Sequence, residues 1–200
     1  LMAISFAIPL GVWAAVKKNQ WIDQIISSFG LLGMSIPGFW LGPMLILIFS
    51  IQLDLFPVSE RGGIEHVILP ALSLALALGA ILIRMTRASM LEVINEDYIR
   101  TAKSKGLDSQ TIFFKHALRN ALMPVITIVG LQFGALLTGT VITETIFDWP
   151  GIGTLLYHSI QQRNYPVVQG CILFIAITYV FINLLVDICY AWVNPKVRLD

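Results

Sequence analysis

The sequence predicts an all-α, polytopic transmembrane helical bundle of about five visible spans, interrupted by one cytoplasmic helix–Gly–helix elbow. Three observations predict it. The 200-residue chain is 56% hydrophobic and only 12% charged, whereas a soluble domain carries about 25% charged residues. Its charge-free runs are each about 17 residues or longer, enough to cross some 30 Å of hydrocarbon as helix. Its cations gather in alternate interruptions, which orients the bundle. The net charge of +1 adds little, because in a membrane protein placement matters more than the sum. A β-barrel would show short alternating segments, and these runs do not alternate.

The first run, LMAISFAIPLGVWAAV, holds sixteen residues and is slightly short for a span of roughly 17–25. It lacks an initiator Met and a signal-peptide charge pattern, so the chain is expected to enter partway through a helix, with an N-terminal portion missing. The second run lies between Asp23 and Asp54 and contains Ser35-Ile36-Pro37-Gly38 near its centre. It reads as one long kinked crossing, because each half is too short to cross alone. A re-entrant hairpin at Pro37 is the alternative. Trp40 would sit mid-span and pack against another helix. The remaining runs lie between His66 and Arg84, Arg119 and Glu144, and Arg163 and Asp187.

Five crossings place segment 17–23, segment 84–119 and the tail after Asp187 on one side. These hold Lys17, Lys18, Arg84, Arg87, Arg100, Lys103, Lys105, Lys115, Arg119, Lys196 and Arg198. The other side has only Arg61 and Arg163, beside Asp54, Glu60, Glu65, Glu144 and Asp148. Eleven cations against two make the first side cytoplasmic, with the C-terminus on it. A hairpin at Pro37 would break this partition. Trp13, Trp21, Trp149 and Trp192 fall near the expected interfaces, where amphipathic rings settle. Cys171 and Cys189 lie far apart along one apolar region and read as buried thiols that cannot pair with each other.

The stretch NEDYIRTAKSKGLDSQTIFFKHALRNALMP, 95–124, is the main cytoplasmic feature. Ser89 to Lys105 has helical composition. Gly106 then suits a C′ position with φ > 0, and Leu107 the apolar residue that follows it in a Schellman cap. Asp108 or Ser109 can N-cap a second helix through Ile112, Phe113, Phe114 and Ala117, and Pro124 would bend its entry into the membrane. A basic loop that only holds topology by attraction to anionic lipid is the simpler account. A topology loop, however, needs cations and not a capped elbow with two phenylalanines, so a docking surface for a partner is the competing account.

DYIRTAKSKGL followed by FFKHALRNALMP resembles the cytoplasmic-loop signature of the membrane subunits of ATP-binding-cassette importers. The likeness is to the branch that contains permeases for dipeptides, oligopeptides, nickel and glutathione. It extends over most of the chain, through HVILPALSLAL at 66–76, RMTRASMLEVINEDYIRTA at 84–102, ETIFDWPGIGTLL at 144–156, NYPVVQG at 164–170 and the ending DICYAWVNPKVRLD. In that superfamily the loop, called the EAA motif, forms a coupling helix seated in a cleft of the ATPase subunit. The motif's Glu-Ala-Ala positions read Arg100, Thr101 and Ala102 here, followed by Gly106. Arg-Thr-Ala suits the peptide branch, and no role of the absent Glu carries over. Asn164-Tyr165-Pro166 and Asn194-Pro195-Lys196 stand where the family often has Asp-Tyr-Pro and Asp-Pro-Arg.

The resemblance implies one transmembrane domain over 1–200, with 89–119 as the coupling loop. Asp97, Tyr98, Arg100, Thr101, Ala102, Lys103, Lys105, Gly106, Leu107, Phe113 and His116 are then the ATPase-coupling candidates. It implies a second homologous permease, two ATP-binding-cassette ATPase subunits, an extracytoplasmic substrate-binding protein and the lipid bilayer as partners, with no nucleic acid. ATP and magnesium would be bound by the partner ATPases and no cofactor by this chain, whose setting is a bacterial or archaeal cytoplasmic (inner) membrane. Family members also carry an additional N-terminal helix and an extracytoplasmic region.

The residues themselves bound the function further. No G-x-x-x-x-G-K-[ST] loop appears, so nothing here cradles ATP phosphates. The alternative of an ion-coupled secondary transporter or channel fits less well, because no Asp, Glu, Lys or Arg lies mid-span. An intramembrane enzyme would need a Ser–His–Asp or H-E-x-x-H arrangement, which is absent, and no catalytic residue is assigned. His66, His116 and His158 lack metal-site spacing. Ser35, Pro37, Gly38, Gln132 and Thr138 are candidates for a translocation path or hinge. For the polar members, interhelical hydrogen bonding worth roughly 0.6 kcal/mol each is the competing account. Gly130 and Gly134 form a G-x-x-x-G pair that predicts a close-packing face.

Overall fold

The computed structural model describes residues 1–58 and 62–193, apart from the side chain of Thr138. The described residues form helices and connecting turns with no strand. Glu60, Arg61, Lys196 and Arg198, and the Asn194-Pro195-Lys196 segment, lie outside the described residues.

The first helix, α1 (Met2–Val16), carries Ala3, Ala7, Gly11, Ala14 and Ala15 on its buried face. These small side chains let its backbone approach α4 (Ile64–Ile94) closely. A Cβ on Gly11 would stand 2.6 Å from the Thr86 Cβ and 2.8 Å from the Ile83 carbonyl oxygen. Gly79 of α4 lies against the Phe6 ring. The pairings 6 with 79 and 11 with 86 make α1 and α4 parallel.

The next helix, α2 (Trp21–Ser35), runs the opposite way along α4. Asp23 meets Arg87, while Gly33 meets Ala80 and the Leu76 carbonyl. It ends where Ile36 and Pro37 are extended, at ψ 123° and 133°. A residue before proline is driven out of the helical region, and proline brings no N–H. The following helix, α3 (Gly38–Gln52), leaves at 104° to α2 and passes into a π-helical turn over Ile46–Gln52.

The single crossing expected here takes the form of two helices with a sharp break rather than one kinked helix. It is also not a hairpin. The chain starts beside Arg87 and reaches Leu69, with Leu45, Leu69 and Phe147 forming one buried cluster. Arg87 to Leu69 is about 27 Å along α4 at 1.5 Å per residue, close to the hydrocarbon thickness, so the broken pair still carries the chain from one end of the bundle to the other. Trp40, expected to pack against another helix, lies on α3 just after the break and is 47% exposed.

After α4, the helix expected over Ser89–Lys105 is interrupted at Asn95 and Glu96. Asn95 Nδ2 donates to the Leu91 carbonyl at 2.7 Å, and Glu96 is extended at ψ 149°. A short α5 (Asp97–Ser104) starts afresh. The break redirects the chain so that Ile99 and Ala102 bury against Val12, Met90, Ile112 and Ala117; a straight helix would carry them away from the bundle. The next helix, α6, spans residues 109–139 without interruption. Thr111–Ala117 is π-helical, and Pro124 lies inside the helix rather than ending it.

Two short helices, α7 (Val141–Ile146) and α8 (Ile152–Gln161), lead into α9 (Tyr165–Val193). Gly130 and Gly134 of α6 face Val186 and Tyr179 of α9, the close-packing face expected of that pair. The Thr127 and Tyr190 hydroxyls bond across the same seam. Cys171 is buried as expected, but Cys189 is exposed, because α9 packs on α6 and α8 along one side only and leaves its outer face open.

Among the described residues three helices are long and apolar enough to cross a membrane alone, and counting the broken pair as one span gives a fourth. The fifth visible span corresponds to the shorter apolar α1, consistent with the short first run. The helix pairings gather segment 17–23, the elbow and the end of α9 at one end of the bundle. Segment 53–58, the start of α4 and segment 140–165 gather at the other, as the charge partition requires.

Candidate functional site

The elbow is built from its cap outward. Gly106 has φ +76°, a conformation that L side chains rarely adopt. Its N–H donates to the Lys103 carbonyl at 3.0 Å, and the Leu107 N–H donates to the Ala102 carbonyl at 3.4 Å. This is the paired bonding of a Schellman motif, and it ends α5 and reverses the chain. Asp108 then caps α6: its Oδ2 accepts the Thr111 N–H at 3.0 Å. Bonds from the Thr111 side chain and backbone hold the Asp108 carboxyl below its ordinary pKa.

A second tie closes the elbow. The Tyr98 hydroxyl donates to the His116 carbonyl at 3.4 Å and accepts from Asn120 Nδ2 at 2.7 Å. The base of α5, through Ile99 and Ala102, sits on the ends of α1, α4 and α6. The elbow is therefore a rigid knuckle seated on three helices.

The expected coupling residues separate into two groups. Asp97, Tyr98, Arg100, Thr101, Lys103, Lys105, Gly106 and Leu107 are exposed together on the outer surface of the knuckle. Ala102 is buried, and Phe113 packs against the same cluster, so these two seat the elbow rather than present it. His116 is half-buried on the inner side, its carbonyl held by Tyr98. Arg100 and Asp97 approach to 3.3 Å, a solvated pair that adds little stability.

Arg119 was expected only as one cation of the elbow. Its Nε donates to the Val193 carbonyl at 2.9 Å and its Nη2 to the Trp192 carbonyl at 3.3 Å. A guanidinium at a helix C-terminus satisfies end carbonyls and complements the dipole. The last turn of α9 is thus hooked to the elbow end of α6. Arg119→Ala should loosen that turn by about 1–2 kcal/mol, read as faster amide hydrogen exchange at residues 190–193 with exchange in α4 unchanged.

Sequence reasoning also missed Asp23. It is 3% exposed and receives Arg87 Nε at 2.5 Å and Nη2 at 2.8 Å. The Asn19 N–H and the Ser27 hydroxyl complete its set at 2.9 and 3.2 Å. The one available signal is a lone acid following Lys17 and Lys18, which does not reveal its partner 64 residues away.

At the opposite end, Glu144 was counted only as an outward acid. It is 9% exposed and accepts from the Thr140 hydroxyl at 2.9 Å and the Thr154 N–H at 2.7 Å. It thereby caps α8 from α7. The carboxylate also borders a cavity of about 300 Å³ between α4 and α7, lined by Val67, Pro70, Leu74, Thr143 and Trp149. His158 lies on α8 with its ring beside that of Tyr157.

The path and hinge candidates do not converge. Ser35 donates to the Leu31 carbonyl of its own helix at 2.9 Å. Gln132 Nε2 donates to the Leu78 carbonyl at 3.1 Å, tying α6 to α4. Pro37 and Gly38 form the α2–α3 break, with open space around Gly38. The Thr138 side chain lies outside the described residues. Among the described residues no three His, Cys, Asp or Glu side chains group as metal ligands.

Comparison with known proteins places these features in context. Residues 7–199 match the family model of the binding-protein-dependent transport system inner membrane component. The glutathione transport system permease protein GsiC of Escherichia coli (strain K12) is 44% identical over 196 residues. Its counterpart in Shigella boydii serotype 4 is 43% identical over the same length. In both cases the aligned region covers 98% of this chain and 64% of the relative.

Proposed function

The chain belongs to the family of binding-protein-dependent transport system inner membrane components, and on that premise we propose that it is a permease subunit of an ATP-binding-cassette importer. With a second permease it forms the path for a peptide or a related small solute. The observation that carries this reading is the Gly106 knuckle. A capped, rigid, basic surface projects from the junction of α1, α4 and α6, so a push on it reaches membrane-spanning helices directly. Rigid-body motion of such elements is how alternating access is produced.

Two ATPase subunits hold ATP and magnesium and hydrolyse the nucleotide, and this chain contributes no catalytic residue. An extracytoplasmic binding protein delivers the solute at the α7–α8 end. The elbow and the C-terminus face the cytoplasm, supported by the cation partition and by the Arg119 hook that ties the end of α9 to the elbow. The relatives' glutathione favours a peptide-like solute.

The test is solute uptake into proteoliposomes containing the assembled complex. Uptake should need both ATP and the ATPase subunits, and an imposed proton or sodium gradient should not replace them. Gradient-driven uptake without the ATPases would establish the ion-coupled alternative.

A further inference from the structure

A groove of about 620 Å³ lies between the second half of α1 and the start of α6, on the flank of the knuckle. Its walls are Pro9, Trp13 and Lys17 on one side, and Ser109, Phe113 and Phe114 on the other. Residues 9, 13 and 17 are spaced at i, i+4 and i+8, so they share one face of α1. The groove is therefore graded along its length. Toward the bundle middle it is apolar, and at the elbow end it offers an ammonium group and a serine. Trp13 is 51% exposed and Phe114 62% exposed, which leaves a wide apolar face open.

We propose that this groove binds an anionic phospholipid, with an acyl chain along Pro9, Trp13 and the two phenylalanines and the phosphate on Lys17. Charge complementarity and polarity order select this occupant. Among the described residues Lys17 has no acidic partner. It sits where α1 ends, one turn beyond an exposed tryptophan, which is the arrangement of a side chain at the membrane–water interface. A cation in that position attracts anionic headgroups, and an uncharged amphiphile would gain only from the apolar half. The site adjoins Ser109 and Phe113 at the head of α6, so a bound lipid would brace the elbow against α1. The inference rests on membrane insertion, which the family establishes, and holds whichever solute is carried.

Brominated lipids quench nearby tryptophan, and Trp13 is one of five in the chain. The difference in quenching between the full chain and its Trp13→Phe variant, in nanodiscs, isolates the groove. Brominated phosphatidylglycerol should quench Trp13 about five-fold more effectively than brominated phosphatidylcholine at equal mole fraction, one cation's worth of preference. Lys17→Glu should remove that preference, and Lys17→Arg should keep it and show that the helix end tolerates substitution. Equal quenching by the two lipids would overturn the proposal. So would no quenching by either, which would mean that protein covers the groove. Transport without ATPase subunits would defeat the importer reading and leave this result untouched.

Discussion

A Gly106→Val protein is expected to insert and fold but to lose most substrate-stimulated ATP hydrolysis in the assembled complex. The reason is conformational. A Cβ at Gly106 would meet nothing within 4 Å, so no clash unseats the helices. The backbone, however, stands at φ +76°, and a β-branched residue there costs about 1–3 kcal/mol, a roughly 5- to 150-fold shift in population. The chain would relieve that strain by abandoning the Leu107-to-Ala102 and Gly106-to-Lys103 bonds. The exposed side chains between Arg100 and Leu107 would then lose the orientation that the proposed contact with an ATPase subunit needs. Gly106→Asn should retain most stimulation, because asparagine tolerates the left-handed region. Normal stimulation and transport in the valine variant would remove the coupling role from the elbow.

The second large effect is on stability. Asp23→Ala leaves the Arg87 guanidinium without its acceptor and strips partners from the Asn19 N–H and the Ser27 hydroxyl. Breaking a buried pair on one side costs about 3–5 kcal/mol. The Arg87 side chain keeps 28% of its exposure, so about 2–3 kcal/mol is expected after solvent screening. Because α2 ends at a 104° break, it gains no support from a continuation into α3 and depends on its packing against α4. The loss should appear as reduced thermal stability in detergent and raised protease sensitivity around residues 17–21. The double variant Asp23→Leu, Arg87→Met should recover much of it, since a packed apolar pair avoids the desolvation cost. A double variant as unstable as the single one would show that packing around α2, and not the pair, was damaged.

Particular residues show why some features were legible and others were not. Gly106 was, because a glycine followed by an apolar residue after a helical stretch is a local instruction to stop and reverse. The Gly130–Gly134 face was legible for a similar reason: a four-residue period fixes one side of a helix whatever partner fills it. Asn95 was not. Its side chain competes for the Leu91 carbonyl, but asparagine is tolerated within helices, and the break follows from the gain when Ile99 reaches the Met90 cluster. Ile36–Pro37 announced a bend without its size, since 104° depends on where Leu45 finds Leu69 and Phe147. Cys189 was misjudged as buried because hydrophobicity in a membrane protein does not distinguish a lipid-facing side chain from a packed one.

The sequence by itself determined that the chain crosses a membrane, which segments share a side, and where the polar elbow turns. Those properties follow from local composition and from charge, each readable within a few residues. Only the tertiary structure decided which groups satisfy one another across the bundle. Asp23 holds Arg87, Arg119 takes the end of α9, and Glu144 caps α8. A charged or polar group within the bundle must find a partner, but sequence distance carries no information about which one. That choice is made by helix packing, through the small residues that set how closely α1 and α2 approach α4.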